Sequence, residues 1–134
     1  MPDPTAAILA ILLAAPAAAQ ETLPPEAFAK LATGHTLHFT LDGVPFGAEQ
    51  YFDGQRSLWR FEDGSCESGR WWADGDRICF DYGDDLGAEC WRFRQAGGDV
   101  AAALVRDGAE TGFVLHLAGN DDAPLDCPGP SVGS

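Results

Sequence analysis

Residues Ile78 to Phe93 read ICFDYGDDLGAECWRF, and this stretch decides the fold. Its first arm alternates with a period of two. Ile78, Phe80 and Tyr82 fall on one face, and Arg77, Cys79 and Asp81 fall on the other. Its second arm alternates in the same way, with Trp91 and Phe93 opposite Cys90, Arg92 and Arg94. Gly83-Asp84 and Gly87 supply turn chemistry between the arms. A register that sets Cys79 against Cys90 also sets Ile78 against Trp91 and Asp81 against Ala88. Both cysteines then share the more polar face, and Ile78 meets Trp91 on the apolar one. Packing and a disulfide ask for the same pairing, as a well-specified hairpin should.

The same pattern extends in both directions. Asp-Gly occurs at 42–43, 53–54, 63–64 and 74–75, spaced by 11, 10 and 11 residues, and again at 107–108. Asp-Gly suits tight hairpin turns because their central residues take positive φ. Between these turns the chain predicts strands near His35–Leu41, Gly47–Phe52, Ser57–Glu62, Glu67–Trp72, Arg77–Tyr82, Glu89–Arg94, Val100–Val105 and Gly112–Ala118. Leu37, Phe39 and Leu41 share a face, as do Phe113, Leu115 and Leu117. The fold class is therefore all-β: an antiparallel meander that closes into a small barrel or folds into a two-layer sandwich. The barrel is favoured because a meander of neighbours closes without crossing connections. One short N-terminal helix precedes it. Pro25 suits the first helical position, Glu26 the positive end and Gly34 the stop, and Phe28 and Leu31 share an inward face.

Ahead of the helix, Ala6 to Ala15 is unbroken apolar sequence, followed by Pro16 and then Ala17-Ala18-Ala19. This reads as a signal peptide over residues 1–19, cleaved after Ala19, with a single domain over 20–134. As a helix, Ala6 to Ala19 would span about 21 Å, short of a hydrocarbon core of about 30 Å. The segment before the run has no Lys or Arg, which departs from the usual leader. No cysteine follows the leader closely, so no lipid anchor is expected after cleavage. The expected compartment is the periplasm or the exterior.

The chain carries 21 acids against 8 Lys and Arg, a formal charge of −13 over 134 residues. Phosphate backbones and anionic membrane surfaces would be repelled, so nucleic acid and membrane are poor partners. A basic protein is a compatible partner, and the charge favours a soluble monomer.

Cys66, Cys79, Cys90 and Cys127 form an even set behind an export signal, which implies two disulfides among three connectivities. The hairpin register selects Cys79–Cys90. Cys66–Cys127 follows by elimination and would tie a Pro- and Asp-rich tail over strand Glu67–Trp72. The gaps between cysteines do not suit zinc. His35 and His38 point to opposite faces of a strand and His116 stands alone, so no metal site is expected. Asp74, Asp76, Asp81, Asp84, Asp85 and Glu89 lack EF-hand spacing and read as solvated turn acids. No cofactor is implied.

Catalytic residues are not evident. No serine sits in G-x-S-x-G, and no phosphate loop, H-E-x-x-H or C-x-x-C occurs. Trp59, Trp71, Trp72 and Trp91 either line a ligand cup or fill a small barrel. Trp71 and Trp72 are adjacent, so a strand must turn one of them outward.

Glu49-x-Tyr51-Phe52, Gly69-x-Trp71, Gly75-Asp76-x-Ile78-Cys79-Phe80 and Cys90-Trp91 together resemble small exported proteobacterial all-β families of unknown function. The resemblance implies export and a β-rich fold and carries no catalytic residue. Ser68-Gly69-Arg70-Trp71-Trp72 also looks like the S-G-x-x-aromatic loop of periplasmic lysozyme inhibitors. That likeness makes Ser68, Arg70, Trp71 and Trp72 candidate binding residues. The expected function is a non-enzymatic exported module that binds another macromolecule. Inhibition of a basic hydrolase and carriage of a small apolar ligand are the alternatives.

Overall fold

The computed structural model describes residues 1–13 and 20–128. The predicted cleavage site at Ala17 to Ala19 and the chain end beyond 128 lie outside the described residues. Residues 1–13 form no regular structure, and Ile8, Leu9 and Leu13 are exposed. No helix among the described residues is long and apolar enough to cross a membrane.

The body begins with a two-residue strand, β1 (Glu21–Thr22), and one helix, α1 (Pro25–Ala32). Eight longer strands follow: β2 (Thr36–Leu41), β3 (Val44–Phe52), β4 (Arg56–Phe61), β5 (Cys66–Asp74), β6 (Arg77–Asp81), β7 (Glu89–Ala96), β8 (Asp99–Arg106) and β9 (Ala109–Asp121). Each of β2 to β9 pairs antiparallel with the next, and β9 returns to β2 through Thr36↔Asp121 to Thr40↔His116. The sheet therefore closes as an up-and-down barrel, and the sandwich alternative falls away. β1 extends the sheet by pairing with the lower end of β7.

The turns explain why neighbours pair. Asp42-Gly43 and Asp107-Gly108 both take positive φ and make two-residue connections, as the Asp-Gly rule requires. The other three Asp-Gly pairs behave differently. At 74–75 the tip is Gly75-Asp76, with only Gly75 at positive φ; at 53–54 the left-handed pair is Gly54-Gln55. The tip at 62–65 has four residues and is held by Asp63, which accepts from the Ser65 amide and hydroxyl. Asp-Gly marks every one of these turns, while the conformation follows the loop length.

α1 plugs one end of the barrel. Pro24 and Pro25 open it, and Glu26 and Lys30 lie at the ends that suit their charges. Phe28 is fully buried and packs edge-on against Tyr51 and Trp71, with Phe93 beside it. Ala32 is the other fully buried helical residue; Leu31 packs at the flank. Leu37, Tyr51, Trp71, Ile78, Phe93 and Val100 complete this end of the core.

Both expected disulfides form, Cys66–Cys127 and Cys79–Cys90, and no described cysteine is free. The hairpin register is the predicted one, with Ile78↔Trp91 and Cys79↔Cys90. The tail takes a different course from the one expected. β9 continues to Asp121 instead of stopping at Ala118. The chain then crosses the outside of β2, β3 and β4. Thr36 Oγ1 donates to the Ala123 carbonyl, the Leu125 amide to Gln50 Oε1, and Arg60 Nε to the Asp126 carbonyl. Only then does it reach Cys66 at the start of β5. The strap thus shields β2 to β4, where three polar side chains can hold it, and not Glu67–Trp72.

Candidate functional site

Opposite α1 the barrel opens. Six of its strands, β2, β3, β4, β6, β7 and β9, turn aromatic side chains into the cavity, and two irregularities aim them. Phe46 is an extra residue in β3, since Phe39 pairs with Gly47 and Thr40 with Pro45. This bulge lets Phe46 reach the lumen. A second irregularity in β9 surrounds Gly112, at φ 89°, and presents Thr111 and Phe113. The result is an aromatic arc: Trp59 to Phe46 at 6.0 Å, Phe46 to Phe113 at 5.7 Å, and Phe113 to Trp91 at 6.1 Å between ring centroids. These rings line a cavity of about 930 Å³. Closed eight-stranded sheets can hold one small ligand, and this volume suits one.

One wall of the cup is polar. Glu49 lies on the inward phase of β3, two residues before Tyr51, and is only 2% exposed. The Tyr82 hydroxyl donates to its carboxyl oxygens at 2.9 and 3.1 Å. Tyr82, the residue after β6, reaches Glu49 because the intervening strands carry the paired Ser57 and Gly69 at this level. A Cβ on Gly69 would lie 2.7 Å from Tyr82 Cδ1, so the ring rests where a side chain would stand. Gly47 does the same for Trp59, whose ring occupies the space of the missing side chain. Two glycines therefore set the cup's shape, a role of close approach rather than of turn formation.

Burial governs the electrostatics. Desolvation pushes the Glu49 carboxyl from 4.5 up to about 8. The Ser57 and Tyr82 hydroxyls pull it down, and the Glu67 charge adds to the rise. Ser57 Oγ is buried without a hydrogen-bond partner, close enough to favour the carboxylate but not bonded to it. The Tyr82 and Tyr51 phenols are both raised, first by burial and then by the Glu49 charge. Glu67, Asp84 and Glu89 also line the cavity. Among the described residues the lining includes one base, Arg106, whose guanidinium lies 3.5 Å from Glu89.

The residues singled out from sequence are distributed differently. Ser68, Arg70, Trp71 and Trp72 lie within β5, hydrogen-bonded between β4 and β6, and form no protruding loop. Trp71 is 6% exposed and belongs to the core beneath α1. Ser68, Arg70 and Trp72 face outward, and Trp72, at 37% exposed, pairs with Cys79 beside the disulfide. Of the four tryptophans, Trp59 and Trp91 line the cup, Trp71 fills the core and Trp72 faces outward. His38 Nε2 lies 3.0 Å from Asp121, and no group of metal-ligating side chains occurs among the described residues. Asp74 and Asp76 bind Arg77 and Arg92 on the outer surface.

Sequence reading singled out neither Glu49 nor Tyr82 as a site residue. The available signal was phase: Glu49 shares the inward parity of Tyr51, and a lone acid on an apolar strand face is a departure from the binary pattern. No known protein family, curated protein or solved structure matches the chain.

Proposed function

We propose that the protein is an exported, non-enzymatic carrier or receptor of a small apolar ligand, held in the open end of the barrel. The observation that carries this reading is the aromatic-lined cavity of about 930 Å³ with one buried polar pair, Glu49–Tyr82, in its wall. Ligand sites combine that apolar lining with a few placed polar groups. The two disulfides point to an oxidising, exported compartment. Within that compartment the periplasm or the exterior is the proposed location.

The test is titration with the neutral fluorophore N-phenyl-1-naphthylamine, following quenching of Trp59 and Trp91. The expected result is saturable binding of one molecule per chain. Ala88→Trp, at an exposed rim position of the cavity, should weaken it by about tenfold or more by occupying the mouth. Linear, unsaturable quenching in the wild type would exclude the carrier reading.

A macromolecular partner, including a basic hydrolase such as lysozyme, is a second reading. The outward, part-exposed Trp72 favours it, because aromatic side chains anchor interfaces. Inhibition of a basic lysozyme that is lost in Trp72→Ser would support it, and full hydrolase activity at saturating protein would remove it.

A further inference from the structure

The charge of the cup's wall says which small molecules it suits. Glu49 and Glu67 sit on β3 and β5, each directly opposite Trp59 on the strand between them. Two carboxyls therefore flank one indole on the inner surface. Asp84 and Glu89 stand at the rim, and Arg106 lies next to Glu89. An entering anion would meet four acids and one base already engaged by an acid. The formal charge of −13 repels anions at longer range as well.

From this geometry we infer that the ligand is a hydrophobic organic cation: an amine on an aromatic or alicyclic body, with its ammonium beside Glu49 and its body against Trp59, Phe46 and Phe113. The inference rests on the carrier reading and specifies its ligand class. Three features converge on it. Ring faces attract cations, tryptophan most strongly. A buried carboxyl forms its strongest hydrogen bonds with a charged donor. Tyr82 uses its single proton on Glu49, and the carboxyl keeps further lone pairs that an ammonium's donors can meet. A fatty acid or other carboxylate would bring its negative charge against the acids that flank Trp59 and line the rim. Burial of Glu49 without a cation keeps its carboxyl protonated near neutral pH, and an ammonium is the group that would stabilise the charged form.

The test compares three probes of one shape at pH 8 by isothermal titration calorimetry: 1-naphthylmethylammonium, 1-naphthalenemethanol and 1-naphthoate. The cation should bind at least about tenfold tighter than the alcohol, and the carboxylate should bind weakest. In Glu49→Gln the ratio of cation to alcohol affinity should fall towards one, while a merely structural role would weaken both probes together. Equal or tighter binding of the alcohol, or a preference for the carboxylate, overturns the inference and leaves the carrier reading standing. If none of the three binds, the carrier reading fails and takes the inference with it.

Discussion

Replacing Glu49 with glutamine should stabilise the protein at neutral pH and do little in acid. The folded barrel holds this carboxyl at about 8, against 4.5 for an ordinary glutamate. Between those values the folded state keeps a proton that the unfolded chain gives up. The unfolded state then binds fewer protons, so stability falls as pH rises through this window and levels off above about 8. At 1.36 kcal/mol per pH unit, the wild type loses roughly 3 kcal/mol by pH 7. Glutamine has the shape of the protonated acid, cannot ionise, and can donate its second N–H to the unpartnered Ser57 Oγ. Glu49→Gln should therefore exceed the wild type by about 2–3 kcal/mol at pH 7 and match it near pH 4.5. Urea unfolding at pH 4.5, 7 and 8.5, with disulfides intact and tryptophan emission as the probe, measures both. A variant less stable than the wild type at pH 7, or an advantage that grows in acid, would refute the assignment of Glu49 as a buried, largely neutral carboxyl.

Gly69→Val should push Tyr82 off Glu49 and destabilise the fold by about 1–3 kcal/mol, seen as a lower urea midpoint; an unchanged midpoint would mean that the ring does not need that space. The double change Cys66→Ser and Cys127→Ser releases a bridge spanning 61 residues and should cost roughly 4 kcal/mol in the loop-entropy account, against about 3 for the 11-residue Cys79–Cys90 bridge. Equal losses from the two pairs would contradict that ordering. Affinity for a naphthylmethylammonium probe should rise from pH 6.5 to about 8 and level off above, with uptake of close to one proton by the buffer at pH 6.5, because binding ionises Glu49; the groups that face it are Tyr51, Ser57, Glu67 and Tyr82. Calorimetry in two buffers of different ionisation enthalpy reads that proton, and identical heats would exclude the release.

The parts of the fold that were legible are those in which one residue type serves two constraints. Ile78-Cys79-Phe80 against Cys90-Trp91 could be registered because a slip by one residue would both separate the sulfurs and turn Ile78 outward. Asp-Gly located the hairpins because its low cost at positive φ does not depend on the rest of the molecule. Barrel closure was legible only as a preference. It depends on β2 meeting β9, and no local pattern in Thr36–Leu41 names its partner. Strand ends were the weakest part. β9 runs to Asp121 because Thr36, Leu37 and His38 offer it a ladder, a long-range fact that the acid-rich sequence of its last residues conceals.

The candidate site was hidden for a related reason. Sequence motifs report chemistry that is local in the chain, whereas Glu49 and Tyr82 are 33 residues apart and meet only across two intervening strands. What brings them together is the absence of bulk: Ser57 and Gly69 leave a channel across the inner wall, and Gly47 leaves the adjoining one for Trp59. A glycine in a strand is usually read as a weak point or a bulge. Here two of them convert a barrel that could have been filled to the top into one that is solid beneath and hollow above. Below this level Phe28 of α1 packs against Trp71 and Phe93 and fills the core. Above it the bulge at Phe46 and the irregularity at Gly112 turn aromatic rings into the mouth of the lumen. The same sheet therefore stabilises itself at one end and forgoes packing at the other. The buried Glu49 sits at the boundary between the two, where its desolvation lowers stability in the empty protein and its charge becomes available to a cationic guest.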